Sequence, residues 1–325
     1  MTELIYRGTG KPHDGIKLLP PPPPWRSFAS GGEGPEYTAR EWDASRDPDR
    51  AEVYRPTAQV IDMVNAALLL RRPLLVTGPP GAGKSTLAYS VAHELGLGQV
   101  LRWPITRSSA LIQGLYEYDA AGRLEDASLG VSGVPEIGDY IRLGPLGTAL
   151  LPGSFPRVLL IDDLDNSDMD LPGELHTVFT EGAFEIPQLV RLGDRQREVS
   201  VRTSDGAGWA LVRDGTVCCQ CFPIVIITST DERSYPVQFL QRCLRLQLGQ
   251  PDSEQLAKIV AAHLGEDLAR DSRDLIAQVA RLDDPPSVDQ LLSAIYVAHS
   301  GIGTAVDAER IREALLRRVA EDDWG

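Results

Sequence analysis

The glycine-rich stretch GPPGAGKST contains the residues best suited to chemistry. It fits the pattern G-x-x-x-x-G-K-[ST], in which the glycines let successive backbone N–H groups point at phosphate oxygens. In this pattern Lys84 reaches the β- and γ-phosphates, and the Ser85 hydroxyl is a ligand of Mg²⁺. The stretch therefore predicts a site for a nucleoside triphosphate and Mg²⁺, formed by Gly78, Pro79, Pro80, Gly81, Ala82, Gly83, Lys84, Ser85 and Thr86.

A second chemical candidate is the run VLLIDD at 158–163. Four apolar residues lead into Asp162, which is typical of a buried strand that ends on a carboxylate. In a parallel sheet this end lies beside the phosphate loop, so we expect Asp162 to hold Mg²⁺ directly or through water. Asp163 then has the place of the general base that deprotonates an attacking water. The alternative interpretation is that the two acids only cap a strand.

The elements that must position these residues alternate between strands and helices. Apolar runs predict short buried strands at 73–77, 100–105, 158–162 and 224–229. Apolar residues three and four apart predict a helix at 58–70, and a second helix follows the glycine-rich turn. This alternation predicts an α/β fold with a parallel sheet.

Changes in composition divide the chain into three regions. Residues 1–55 include five consecutive prolines and little apolar periodicity, so we expect a proline-rich extension outside the core, either solvated or docked on a folded neighbour. Residues 56–250 form the predicted nucleotide-binding core, in which polar and apolar residues alternate at 196–221 as in a hairpin. Residues 251–325 form a predicted helical lid, in which amphipathic helices are expected at 253–264, 273–282, 288–299 and 308–319.

Charge and cysteine content argue against several classes of protein. The 325 residues carry a formal net charge of -14, which disfavours nonspecific binding to nucleic-acid phosphates. The four cysteines do not form the spaced framework of a disulfide-rich secreted protein. No charged start followed by an apolar run marks a secretory signal, and no window reaches the roughly 18 apolar residues of a membrane span. We expect a cytoplasmic protein with no membrane partner.

Over residues 56 to about 300 the chain resembles AAA+ ATPases, and within them the MoxR-like group. More loosely, the opening RGTGKPHDGI, with a proline run and WR, resembles MoxR-type ATPases of actinobacterial conflict systems, which are found beside von Willebrand A-type partners. The stretches that carry the main resemblance are LLVTGPPGAGKST, GPL at 144–146, VLLIDDLDNSD, EGAFEIP at 181–187 and IVIITSTDERSYPVQFLQRCLRL.

The resemblance implies an AAA+ P-loop NTPase core with a parallel sheet and a small all-helical lid. It also implies a homo-oligomeric ring, usually hexameric, with ATP bound between subunits. Arg242 matches the arginine finger, which would stabilise transition-state charge in a neighbour's site. The segment 108–140 would hold an insert in the second core helix. That insert and the hairpin at 196–221 would face the pore or a partner protein, which the ATPase remodels or activates.

Three departures from the family pattern predict weak turnover. Asp163 replaces a glutamate, Thr230 stands where a catalytic sensor asparagine is usual, and acids at 283–287 replace a basic second sensor. Because a misplacement of about 1 Å can cost on the order of 10²-fold in rate, we expect firm ATP binding and slow hydrolysis. One alternative is an ATP-gated assembly switch with little turnover. A nucleic-acid motor is another, against which the acidic charge argues.

Overall fold

The computed structural model describes residues 4–28, 54–129, 136–206, 208–230, 233–282 and 286–299. In this part of the chain the strands are β1 Leu74–Thr77, β2 Leu101–Pro104, β3 Tyr116–Tyr118, β4 Ile141–Leu143, β5 Val158–Asp162, β6 Ala183–Glu185, β7 Glu198–Arg202, β8 Trp209–Arg213, β9 Thr216–Cys218, β10 Ile224–Ser229 and β11 Leu244–Gln247. The helices are α1 Ala58–Leu70, α2 Thr86–Glu94, α3 Leu111–Leu115, α4 Ala120–Leu129, α5 Pro145–Ala149, α6 Leu171–Glu181, α7 Pro187–Val190, α8 Val237–Arg242, α9 Ser253–Leu264, α10 Glu266–Asp271, α11 Arg273–Val279 and α12 Val288–His299.

A five-stranded parallel sheet in the order β11–β1–β10–β5–β2 forms the centre of the core. Strands β1, β5 and β10 are buried along their whole length. Such continuous burial is typical of a parallel sheet with both faces covered. Because β10 alone separates β1 from β5, the loop after β1 and the end of β5 lie at the same edge of the sheet.

The local predictions for this core are confirmed. The four predicted strands are present as β1, β2, β5 and β10, and the helix predicted at 58–70 is α1. Thr57 caps α1, its hydroxyl accepting a hydrogen bond from the N–H of Val60 at 3.4 Å. The helix ends at Arg71, whose left-handed backbone (φ 52°) stops the helical repeat. Capping and apolar periodicity therefore agree on the bounds of α1.

A second sheet joins distant segments of the chain in the order β3–β4–β7–β8–β9–β6. Antiparallel pairing of β7 with β8 confirms the hairpin predicted at 196–221. Strand β3 and α4 lie where the insert was expected, at 108–140, and β3 pairs with β4, which begins at the residue after this range. Pairing of Arg142, on β4, with Arg202 connects the insert to the hairpin through β4. The sequence analysis did not predict this connection, because pairing between short, distant strands leaves no local pattern.

The helices α9 to α12 pack around their own apolar cluster, separate from the two clusters that flank the central sheet. The helices predicted at 253–264 and 288–299 are confirmed as α9 and α12. The last predicted helix, at 308–319, lies outside the described residues. The buried side chains of the cluster around which α9 to α12 pack include Leu256, Val260, Ile276, Val279, Leu291 and Ile295.

Among the described residues, no helix is both long enough and apolar enough to cross a membrane.

Residues 4–28 pack against the core, so the prediction that residues 1–55 lie outside it is wrong for this part. Ile5, Tyr6 and Ile16 are buried within the cluster that α1 and α2 share with the central sheet. Hydrogen bonds to side chains distant in sequence hold the segment, and these leave no apolar periodicity from which its burial can be predicted.

The carboxylate of Glu94, the last residue of α2, anchors this segment. It accepts hydrogen bonds from consecutive backbone N–H groups at 2.6, 3.0, 2.6 and 3.0 Å, those of Arg7, Gly8, Thr9 and Gly10. Gly8 and Gly10 each have φ of 69°, a left-handed backbone that turns these N–H groups towards one anion. Burial raises the pKa of Glu94, but the hydrogen bonds outweigh this effect and the net pKa is lowered.

Arg26 anchors the other end of the segment. Its guanidinium carbon lies 4.7 Å from the ring centre of Phe28 and 4.4 Å from that of Phe222. The same group donates hydrogen bonds to the carbonyl oxygens of Arg71, at 3.0 and 2.6 Å, and of Phe179, at 2.9 Å. The guanidinium is thus buried with each of its three nitrogens donating a hydrogen bond, which compensates the buried charge.

Glu94→Gln should release the N-terminal segment and lower the free energy of unfolding by roughly 3 kcal/mol, because it removes the buried charge towards which four backbone N–H groups point. Since the folded-state pKa of Glu94 is lowered, the anchor is fully present above the ordinary carboxyl pKa and is lost as pH falls through the folded-state value. Urea unfolding measures the stability, and trypsin cleavage after Arg7 and Lys17 measures the release.

The control is Glu125→Gln, which changes an exposed acid on α4. It should leave both the unfolding curve and the cleavage rate unchanged. Cleavage of Glu94→Gln at the wild-type rate at neutral pH would show that this carboxylate is not the anchor.

Candidate nucleotide-binding site

The glycine-rich stretch forms the loop between β1 and α2. Gly78, Gly81 and Gly83 have φ of 148°, 78° and 82°. A Cβ on Gly78 would lie 2.3 Å from the carbonyl oxygen of Leu248, so no larger residue fits there without a backbone shift. The loop therefore curves as a phosphate-binding loop requires and leads into the N-terminus of α2, which favours an anion.

Lys84 lies within this loop and is 7% exposed. Its ammonium group donates to two carbonyl oxygens of the loop, at 2.8 and 2.9 Å. Burial lowers the pKa of Lys84, and the nearby carboxylates of Asp163, Asp165 and Asp162 oppose this effect. Because carbonyl and phosphate oxygens are both acceptors, the lysine fits the phosphate-binding role predicted for it.

Asp162 connects three parts of the core through its buried carboxylate. Oδ1 accepts hydrogen bonds from the hydroxyls of Ser85, at 2.6 Å, and Thr228, at 3.0 Å. Oδ2 accepts two from Arg102, at 3.0 and 2.6 Å. Burial raises the pKa of Asp162, but these hydrogen bonds outweigh it and the net pKa is lowered. The fold thus brings the predicted metal-binding residues together and keeps the carboxylate ionised.

The Ser85 hydroxyl and the Asp162 carboxylate fit a Mg²⁺ ion bound together with phosphates. Both are hard oxygen donors, and they lie within 2.6 Å of each other. Mg²⁺ in nucleotide sites usually takes one or two protein ligands and completes its shell with water and phosphate oxygens. The part of the chain that the structure describes has no group of three His, Cys, Asp or Glu side chains that could hold a metal. Phosphate oxygens would therefore supply much of the coordination.

Asp163 follows β5 in a left-handed conformation, with φ 59° and ψ 56°. Its backbone N–H donates to the hydroxyl of Thr228 at 2.8 Å. The residue is exposed, yet desolvation of its carboxyl group and the charges of Asp162 and Asp165 raise its pKa. A raised pKa makes an ionised carboxylate a stronger proton acceptor, which is compatible with the predicted role of general base.

Thr228 and Arg102 are site residues that the sequence analysis missed. The fully buried Thr228 hydroxyl donates to Asp162 and accepts from the Asp163 N–H, so it fixes both acids from β10. A threonine directly after the four apolar residues of β10 was the available signal. The sequence gave no signal for Arg102, on β2, because an arginine at a strand position is usually solvated.

Thr230 directs its hydroxyl towards Asp165 rather than into open space. The Thr230 Oγ1 donates to Asp165 Oδ2 at 2.7 Å. Asp165 lies in the 3-10 turn Leu164–Asn166, and Arg233 donates to its carbonyl oxygen at 3.2 Å and to that of Ser167. The residue at the predicted sensor position is therefore bonded to a carboxylate that the sequence analysis did not select.

Arg242 lies at the end of α8, where its guanidinium contacts α6. Nη2 donates to the hydroxyl of Thr180 at 2.8 Å, whereas Nε is buried without a hydrogen-bond partner in the described part of the chain. Burial and the charge of Arg242 together lower the pKa of Arg26 to about 10. Arg242 thus donates its hydrogen bond to α6 and not to the phosphate-binding loop of its own chain.

The lid contacts the site through the start of α12. A Cβ on Gly81 would lie 2.9 Å from the Cβ of Ser287. Ser287 and Gln290 form a reciprocal cap, the serine N–H donating at 2.8 Å and its hydroxyl accepting at 3.3 Å. The N-terminus of α12 therefore lies against the phosphate loop. Part of the acidic stretch predicted at this position, residues 283–285, is outside the described residues.

Comparison with known families identifies one match. The model described as "ATPase family associated with various cellular activities (AAA)" matches residues 74–171. These run from β1 to the first residue of α6 and include the glycine-rich loop, Asp162 at the end of β5 and Asp163 after it. No curated protein matches the chain. The family match supports a nucleotide-binding ATPase domain, and the predicted α/β AAA+ core with an added helical region is confirmed.

Arg102→Gln should strengthen Mg²⁺ binding, because the guanidinium occupies one oxygen of Asp162 and repels a cation. The Arg102 side chain is 51% exposed, so screening limits its effect to about 1 kcal/mol, or about fivefold in the Mg²⁺ midpoint. Binding of a fluorescent ATP analogue at increasing Mg²⁺ measures that midpoint. Arg107→Gln, at an exposed position after β2, should not change it. A midpoint that rises in Arg102→Gln would mean that the arginine assists the ion.

Proposed function

We propose that this protein is a MoxR-like AAA+ ATPase, which couples ATP–Mg²⁺ binding and slow hydrolysis to the remodelling or activation of a partner protein. The convergence of Lys84, Ser85 and Asp162 at one edge of the central sheet carries this proposal. The hydroxyl and carboxylate lie 2.6 Å apart although 77 positions separate them in the chain. The AAA match over the same elements supports the nucleotide-binding part.

The chemistry at this edge is divided among three groups. Lys84 and the loop N–H groups would bind the phosphates, while Ser85 and Asp162 would hold Mg²⁺, which neutralises phosphate charge. Asp163 is the first candidate for accepting a proton from the attacking water. Binding and hydrolysis therefore use different residues, and one can be weakened without the other.

Slow hydrolysis follows from the residues that would position and deprotonate the attacking water. The Asp163 side chain is one methylene shorter than glutamate, and its left-handed backbone sets the direction in which it extends. The hydroxyl of Thr230 is already bonded to Asp165. Since a shift of about 1 Å can cost on the order of 10²-fold, these features are compatible with low turnover and unimpaired ATP binding.

A protein partner suits the second sheet better than a nucleic acid does. The sheet joins β3, in the insert, and its partner β4 to the hairpin β7–β8, so movement of one strand pair would be transmitted to the other. Trp209 on β8 is 47% exposed and lies 5.1 Å from the guanidinium of Arg202. Such aromatic and arginine side chains are frequent in protein interfaces. The loose N-terminal resemblance suggests a von Willebrand A-type partner, in the cytoplasm.

A homo-oligomeric ring, hexameric in this proposal, would complete the site. Arg242 lies at the end of α8, directly before β11, the edge strand of the central sheet. From there it would reach the γ-phosphate bound by a neighbouring subunit and stabilise transition-state charge. In the single chain its guanidinium is held only by Thr180 among the described contacts, with Nε unpaired.

An assembly switch that binds ATP and barely hydrolyses it is the second candidate, favoured by the exposure and left-handed backbone of Asp163. Both candidates predict ATP-dependent oligomers. Only the first predicts continued phosphate release from them, and ring lifetime distinguishes the two, since a switch keeps its ring after excess ATP is removed.

The test of function is ATP affinity and phosphate release by the full chain, beside Lys84→Ala, at a concentration that allows assembly. Lys84→Ala should weaken ATP binding by about 100-fold, because it removes charge-assisted hydrogen bonds to phosphate. Lys258→Ala, at an exposed position of the lid, serves as the control and should bind as wild type. Equal ATP affinity of Lys84→Ala and wild type would refute the nucleotide site.

Arg242→Ala should leave ATP affinity intact and reduce phosphate release by about 10³-fold if the arginine acts on a neighbour. Mixing it with Lys84→Ala subunits should restore part of the activity, because those subunits supply the arginine to intact nucleotide sites. Arg245→Ala, an exposed position on β11, is the matched control. Full activity of Arg242→Ala in an assembled sample, or no recovery on mixing, would contradict the role in trans.

A further inference from the structure

Asp165 is a third carboxylate of the nucleotide site, in the turn that follows Asp163. It is half-buried, and its Oδ2 is fixed by the Thr230 hydroxyl at 2.7 Å. Arg233 donates to the carbonyl oxygens of Asp165 and Ser167 and so holds the turn itself. The carboxylate is therefore held in one orientation by residues that follow β10.

The other oxygen of this carboxylate is unpaired. Asp165 Oδ1 is buried and has no hydrogen-bond partner among the described residues. A buried acceptor without a partner costs free energy, and in native proteins it usually indicates a water, a ligand or a catalytic role. A fixed carboxylate with one free, desolvated oxygen is suited to accept a hydrogen bond from water.

The carboxylate of Asp165 lies close enough to the phosphate-binding loop for its charge to act on Lys84. The charge of Asp165 opposes the lowering of the Lys84 pKa by burial, and it contributes to raising the pKa of Asp163. Asp163, in contrast, is exposed. Among the described residues, none makes a hydrogen bond that fixes its carboxylate. Of the two acids, Asp165 is the better oriented.

We propose that Asp165 is a catalytic residue whose Oδ1 orients the attacking water and accepts its proton, with Thr230 as the positioning residue. The water oxygen bonds to the γ-phosphorus as the bond from that phosphorus to the β–γ bridging oxygen breaks. The electron pair of the broken bond leaves with ADP, and the proton passes from water to Asp165 and then to solvent. This inference rests on the proposed ATPase function.

Thr230 acts through Asp165 and not directly on water. Its single O–H donor is used in the bond to Oδ2, so it has no proton left to donate to a water. The threonine hydroxyl and the aspartate together would do what a sensor asparagine does alone. The carboxylate of Asp165 would then compensate for both departures from the family pattern, the aspartate at position 163 and the threonine at position 230.

The test compares full-length wild type with Asp165→Asn, Thr230→Val and Thr230→Ser, with Asp170→Asn, an exposed acid before α6, as the matched control. Phosphate release is measured with saturating Mg²⁺ and ATP under assembling conditions, across the pH range in which each variant stays folded. Affinity for a fluorescent ATP analogue and the thermal midpoint are measured on the same samples.

Asp165→Asn should reduce phosphate release by about 100-fold, the effect typical of losing a general base, and should alter the pH profile of the rate. Its ATP affinity should be equal to or higher than that of wild type, because a negative charge near the triphosphate is lost. Thr230→Val should be slowed by about 10-fold, since the carboxylate loses its fixed orientation. Thr230→Ser, which keeps the hydroxyl, should restore the wild-type rate.

Wild-type phosphate release and pH profile in Asp165→Asn would overturn the proposal, as would equal rates for Thr230→Val and Thr230→Ser. Loss of rate together with loss of ATP affinity and thermal stability would assign Asp165 a structural role and also overturn it. If wild type binds ATP but releases phosphate no faster than Lys84→Ala, hydrolysis itself fails and this inference with it. A wild type that does not bind ATP refutes the proposed function at an earlier step.

Discussion

The buried carboxylate of Asp162 is the interaction on which the site depends. A desolvated charge must be satisfied, and this one takes its hydrogen bonds from the start of α2, from β10 and from β2. Each of these partners is thereby fixed relative to the end of β5. The same contacts that satisfy the charge place the Ser85 hydroxyl and the Thr228 hydroxyl at the edge where phosphates would bind.

The helix that follows the phosphate loop is held by a carboxylate at each end. At its start Ser85 donates to Asp162, and at its last residue Glu94 accepts four backbone N–H groups of the N-terminal segment. A negative charge at a helix C-terminus is unfavourable by itself, and the nest of N–H groups offsets this cost. The N-terminal segment thus contributes to fixing the helix that carries the nucleotide-binding loop.

The residues that would bind the nucleotide and Mg²⁺ differ from those that would activate the attacking water in how firmly their side chains are held. Lys84, Ser85 and Asp162 are each fixed by at least one short hydrogen bond. The Asp163 carboxylate is exposed and points from a left-handed residue, whereas Asp165 is oriented by Thr230. The geometry therefore suits a protein in which nucleotide binding is secure and the rate of hydrolysis depends on a few side chains after β5.

The sequence by itself determined the central strands, the helix at 58–70 and the phosphate loop, because each rests on local periodicity or on a short motif with one backbone solution. It also placed Asp162 at the end of its strand. Only the tertiary structure decided that residues 4–28 belong to the core, that insert and hairpin share one sheet, and that Thr228, Arg102 and Asp165 join the site. These features depend on hydrogen bonds between residues about 60 or more positions apart, and such pairings leave no periodicity in either partner.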